Sequence, residues 1–255
     1  CYSFLMKTFN ELGIQIPEIL LPSNNNIEKW AVVACDQYTQ DKEYWKNVEE
    51  ITKDNPSSLN IIFPEVYLNE ENKQERIAKI KATMKDYLNS SVFAQEKKQF
   101  IYLERTTAYN RTRKGLMVAI DLETYEWKPF SKALIRATEA TIIDRIPPRM
   151  EIRRGANLEM PHIMLLINDK DNDLIEKVGN LVKTKTPVYD GKLMLNSGSI
   201  TGWGVCEDTE INTNLSRLSK KMTHLTNSLQ NTENSRIQNG QEIVEQERKR
   251  IARDL

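Results

Sequence analysis

Apolar residues along the chain recur at intervals of three and four in some stretches and of two in others, which separates predicted helices from predicted strands. The run "KWAVVAC" (29–35) is short, rich in β-branched residues and bounded by polar ones, so it predicts a buried strand. Tyr44, Trp45, Val48 and Ile51 then share one helical face. Asn55-Pro56 opens a turn, and Leu59 to Phe63 predict a second strand. Residues 70–88 carry the clearest helical pattern: Ile77, Ile80, Met84 and Leu88 lie on one face, and Glu75 and Lys79 are paired on another.

The period changes to two over "FIYLERTTAYNRTRKGLMVAIDLETYEW" (100–127). Two alternating runs are joined there by a polar turn ending in Gly115, which predicts an antiparallel hairpin. "HIMLLIND" predicts another buried strand and "KDNDLIEKVGNLV" an amphipathic helix; "PVYDGKLMLNSGSITGWGV" alternates around Gly198 as a second hairpin. The expected fold is α+β, a mixed sheet with two β-hairpins and flanking helices over residues 6–206. From 207 to 255 the chain turns polar and helical, with Leu215, Leu218, Met222, Leu225 and Leu229 forming a seam. That segment packs on the domain or serves as a homodimer contact.

Between the hairpins lies "IRATEATIIDRIPPRMEIRRGANLEMPHIM" (135–164), dense in arginine. Thr138 and Glu139 open a short predicted helix that Pro147-Pro148 should end, leaving Ile146 extended and Arg149 on a stiff support. A stiff guanidinium grips phosphate or carboxylate at a small entropy cost, so Arg136, Arg145 and Arg149 are candidate anion ligands. The alternative is that they are internal ion pairs. Arg153, Arg154 and Gly155 read as a solvated turn.

Composition narrows the choice. Lys+Arg and Asp+Glu both number 36, so the net charge is zero, which argues against a nucleic-acid-binding role. Charged residues make up 28% and apolar residues 39%, as in a globular protein, and no apolar run is long enough to span a bilayer. Cys1, Cys35 and Cys206 form no CxxC pair, and His162 and His224 belong to no metal motif, so neither a disulfide framework nor a metal site is expected. A reducing cytoplasm fits this cysteine usage. Met6 is a candidate start codon. No GxxxxGK[ST], GxGxxG or GxSxG is present. Asp36 directly follows the first predicted strand, where α/β proteins place ligand loops; alternatively Asp36 and Thr39 cap the next helix. His162, beside Pro161 at a predicted strand start, is either structural or part of a site.

"IPEILLP", "KWAVVACDQYTQDKEYW", "NPSSLNIIFPEVYL" and the arginine stretch together resemble, over residues 14 to 205, a widespread bacterial family catalogued as domain of unknown function 1015. That family is often labelled SpoOJ/ParA/ParB/RepB-like. The resemblance implies a relation to the ParB/sulfiredoxin nucleotide-binding fold. It marks Asp36, Asn55-Pro56, Arg136 and Asp144-Arg145 as candidate site positions. Related members carry Gly-Gly-His where this chain reads Ser197-Gly198-Ser199, which puts Ser199 at a ligand position. They also continue into a histidine-rich phosphate loop that this chain lacks, as a fragment or a short form would.

The resulting expectation is a protein that handles a nucleotide or a phosphorylated small metabolite. In full-length relatives it would be an ATP- or ADP-dependent phosphotransferase with Mg²⁺, acting on a small hydroxy metabolite. Asp36 or Glu139 would be the carboxylate base, and Arg136, Arg145, Arg149, His162 and Ser199 the ligand contacts. The alternatives are a non-catalytic binding or oligomerisation module and, third, a ParB-like DNA-binding protein.

Overall fold

The structure is a computed structural model, and it describes residues 13–24, 26–34, 38–95, 97–126, 128, 131, 133, 135–136, 143, 146–167 and 175–205. The chain divides into two units: Cys1–Gln15, Ile120–Thr138 and Thr209–Leu255 make one, Ile16–Ala119 and Glu139–Asp208 the other. The predicted helices of 207–255 lie outside the described residues.

The larger unit is organised by an antiparallel sheet. Strands β1 (Phe100–Thr106), β2 (Thr112–Met117), β3 (Tyr189–Lys192) and β4 (Ser199–Val205) lie in the order β2-β1-β4-β3. β4 runs against β1 from Ser199↔Thr106 to Val205↔Phe100, while β2 and β3 flank this pair. Side chains alternate across the sheet. Helix α5 (Ile175–Val182) packs on one face through Val178 and Val182. Gly179 allows this close approach, because a Cβ there would lie 2.6 Å from the Tyr102 ring. On the other face Ile27 of helix α1 (Ile27–Trp30) sits over Gly191 for the same reason, 2.7 Å from a would-be Cβ.

Two apolar clusters complete the core. Helix α2 (Lys42–Thr52) begins at Asp41, whose Oδ1 accepts from Tyr44 N at 2.9 Å. It contributes Tyr44, Trp45 and Val48 to a cluster with Ile62, Val66, Tyr67 and Met194. Helix α3 (Lys73–Asn89) contributes Ile77, Ile80 and Met84 to a second cluster with Ile61 and Ile152. Leu88, expected on that buried face, is partly exposed near the helix end.

Several expectations are corrected. The run 29–35 is not a strand: it finishes α1 at Trp30 and continues irregularly to Ala34, with Cys35 outside the described residues. Its backbone partners are hydroxyls, not a neighbouring strand. Ser58 Oγ donates to Trp30 O at 2.7 Å and accepts from Val32 N, and Tyr44 OH donates to Val33 O at 2.6 Å. Leu59 to Phe63 is likewise no strand; Ser58–Ile61 is a 3₁₀ turn capped by Ser57 Oγ. This bend sends the adjacent Ile61 and Ile62 into different clusters.

Pro147-Pro148 does not end a helix. Both prolines sit in the first turn of helix α4 (Ile146–Arg153), where a missing N–H costs nothing. Gly155, at φ +76°, closes that helix. "HIMLLI" (162–167) is irregular and exposed, with Ile163 at 76% and Leu166 at 79%. A continuous apolar run becomes a buried strand only where a sheet edge receives it, and among the described residues none does.

In the smaller unit, Tyr125–Glu126 pairs in parallel with Ile135–Arg136. Ser131 bridges this pair: its Oγ donates to Glu126 Oε2 at 2.6 Å and its carbonyl accepts from Arg136 at 3.2 Å.

Gly198, at φ +100°, presses against β1: a Cβ there would lie 1.9 Å from the Thr106 carbonyl oxygen. Backbone cannot yield as a side-chain tip can, so Gly198→Ala should lower stability by about 2–4 kcal/mol. Urea denaturation followed by circular dichroism checks this; an unchanged midpoint would contradict the packing described.

Candidate functional site

The β1–β4 register brings two turns to one end of the sheet: 107–111 between β1 and β2, and 193–198 between β3 and β4. The second is tight. Ser197 N donates to Met194 O at 3.1 Å, and Leu195 and Asn196 both have positive φ, 54° and 52°. Two such residues in succession make a type I′ turn, whose twist suits an antiparallel hairpin. Asn accepts that conformation readily, whereas Leu does so at a cost of about 1–2 kcal/mol. Fully buried Met194 anchors the turn in the first apolar cluster. Leu193 N closes it by donating to Gly198 O at 2.8 Å.

Two hydroxyls at this end lack partners. Ser197 is 7% exposed and, among the described residues, its Oγ has no hydrogen-bond partner; Thr107 Oγ1 is also buried without one there. Gly198 lies against the Thr106–Thr107 backbone, between the two hydroxyl-bearing segments. Unpaired buried hydroxyls cost about 1–3 kcal/mol each, so such groups call for a role.

Charge adds a second feature. Residues 105–120 and 191–205 contain no acid, but they include Arg105, Arg111, Arg113, Lys114 and Lys192. Arg105 and Arg113 stand directly opposite each other across β1 and β2. Like charges in that position repel. Among the described residues Arg105, Arg111, Arg113 and Lys192 form no ion pair.

The α5 face of the same strands is neutralised. Tyr102 OH and Lys183 Nζ both donate to Glu104 Oε1, at 2.7 and 2.8 Å. Lys114 Nζ donates to both carboxylate oxygens of Glu176, at 2.6 and 2.8 Å. Burial opposes ionisation of Glu104, but the hydrogen bonds from Lys183 and Tyr102 outweigh it and hold the carboxyl below its ordinary range. Burial, then the bond to Glu104, pushes the Tyr102 phenol above its own range. Burial alone pushes Tyr189 up to about 12. Alternation places Arg105 and Arg113 on the face away from this network.

Asp36, Glu139 and Arg145 lie outside the described residues. Arg136 belongs to the smaller unit, where it bonds Ser131. Arg149, on α4, is paired with Glu65, and Arg153 with Glu159. His162 follows the cis Met160–Pro161 bond; it is exposed by surface area, yet surrounding atoms desolvate its imidazole enough to lower its pKa, against the pull of Glu159. Ser199 lies at the polar sheet end, paired with Thr106 and Lys192. Reading the sequence alone missed Ser197, Thr107, Arg105, Arg111 and Arg113. The signal available was the pair of acid-free windows. Among the described residues no group of three His, Cys, Asp or Glu side chains is placed to hold a metal ion. No helix among them is long and apolar enough to cross a membrane.

A family model described as a protein of unknown function (DUF1015) matches residues 19–226. No curated protein and no solved structure matches the chain.

The depressed Glu104 carboxyl contributes stability above the unfolded-state value of about 4.3, and this is lost as pH falls through the lower folded-state value. Lys183→Met removes the main stabilising partner and should move acid unfolding to higher pH. An acid titration followed by far-UV circular dichroism reads the midpoint; coincident curves for variant and parent would exclude this role for Lys183.

Proposed function

The chain belongs to the DUF1015 family, and on that footing we propose that its larger unit binds a nucleotide or phosphorylated small metabolite at the polar end of the sheet. The reading is carried by the opposed Arg105–Arg113 pair, which has no acid partner among the described residues, at the sheet end where the turn bearing the Ser197 hydroxyl folds onto β1. A phosphoryl group resolves both problems at once: its oxygens take guanidinium forks bidentately and accept from hydroxyls. Ser199 and Arg111 belong to the same end. Arg149, held by Glu65, is a supporting ion pair in this reading rather than the main grip. A carboxylate base from Asp36 or Glu139, with Mg²⁺ and ATP or ADP, would extend binding to phosphoryl transfer in the ParB/sulfiredoxin manner.

A second reading, an interaction module, is favoured by the exposed apolar run Ile163 to Ile167. If that run mediates self-association, Leu166→Asp should convert a concentration-dependent oligomer to monomer in sedimentation equilibrium. A parent chain that is monomeric throughout would remove the support.

For the first reading, pyrophosphate should raise the melting temperature of the whole chain. Arg105→Gln with Arg113→Gln should weaken binding at least about tenfold, since a charge-assisted contact contributes about 1.5–3 kcal/mol. Isothermal titration calorimetry of both proteins decides it. Equal affinity in parent and double variant, or no binding by the parent, would defeat the proposal.

A further inference from the structure

Tyr109 stands at the tip of the β1–β2 turn with 82% of its surface exposed. Elsewhere in the larger unit Tyr102 is fully buried, Tyr44 is 6% exposed and Tyr67 is 9% exposed. Its position is held by the hairpin beneath it. Thr107 N donates to Arg111 O at 2.9 Å and Asn110 N to Thr107 O at 3.0 Å, while the Thr106 and Thr112 hydroxyls bond each other at 2.9 Å. An aromatic ring presented on a braced turn carries a binding surface with little rotamer entropy left to lose. Arg111 extends the ladder just before β2, its carbonyl accepting from Thr107 N, and Arg113 follows two positions on, about 7 Å away by strand spacing, so positive charge leads from the turn toward Arg105.

We propose that the ligand of this sheet end is a nucleoside diphosphate or triphosphate whose base stacks on Tyr109 and whose phosphates run along Arg111 and Arg113. This rests on the phosphate-binding reading above and adds its substrate class. A phosphorylated sugar would use the arginines and leave the ring idle. A single-stranded nucleic acid would use a succession of stacking platforms, whereas Tyr109 is the only exposed aromatic in the two acid-free windows among the described residues.

Calorimetric titration of the whole chain with ADP, pyrophosphate, ribose 5-phosphate and a single-stranded oligonucleotide tests this. ADP should bind more tightly than pyrophosphate or ribose 5-phosphate. Tyr109→Ala should weaken ADP by about 5- to 150-fold, the range of one lost base–aromatic stack, and leave pyrophosphate unchanged. Tyr109→Trp should retain ADP affinity. If Tyr109→Ala leaves the ADP-to-pyrophosphate ratio unaltered while both bind, the nucleotide assignment fails and phosphate binding stands. If neither anion binds, both fail. Preference for the oligonucleotide, with affinity falling steeply as salt rises, would replace a free nucleotide by a nucleic acid.

Discussion

The antiparallel register between β1 and β4 joins segments roughly a hundred positions apart, and the larger unit is arranged around it. Closing so long a loop is entropically costly, and the register is specified by burial on both faces of the sheet. A slip of one residue would turn Tyr102 away from α5 and Glu104 away from Lys183. The register also decides that the 107–111 and 193–198 turns emerge at the same end. Without it the arginines of one hairpin and the serines of the other would have no common location.

Close approach is the second constraint. Gly179, Gly191 and Gly198 each occupy a place where a side chain would collide: with the Tyr102 ring, with Ile27 and with the Thr106 carbonyl. The first two let helices settle on opposite faces of the sheet. Gly198, together with left-handed Leu195 and Asn196, bends the β3–β4 turn sharply onto β1. Strain, unpaired buried hydroxyls and uncompensated charge therefore converge on one edge, while the Glu104 and Glu176 networks satisfy the α5 face of the same strands. Sites that bind ligands commonly combine such unrelieved terms, because the ligand relieves them.

Elements with a strong local period were legible in the sequence. Tyr44, Trp45 and Val48 face inward from α2, and Ile77, Ile80 and Met84 do so from α3, as helical spacing requires. Apolar runs without a period were misread. Residues 29–35, 59–63 and 162–167 are short and mostly apolar, so they fit a buried strand equally well as a helix end or a bend. The buried hydroxyls of Ser57 and Ser58 decided the first two cases by supplying backbone partners at Trp30, Val32 and Leu59. The diproline was misread for a related reason: proline stops a helix from inside but suits its first turn, and only the position of the helix distinguishes these.

Local composition, then, determined the α+β class, the helices α2 and α3, and the presence of tight turns near Asn110 and Gly198, since each depends on neighbours within a few residues. It also held the acid-free windows, although nothing in the one-dimensional order joins residues 105–120 to residues 191–205. Tertiary structure alone decided that they meet and, among the described residues, which arginines have no acid partner and that Ser197 is buried without a hydrogen-bond partner. Those properties arise from strand register and from which carboxylates lie within reach, and both are set by long-range packing.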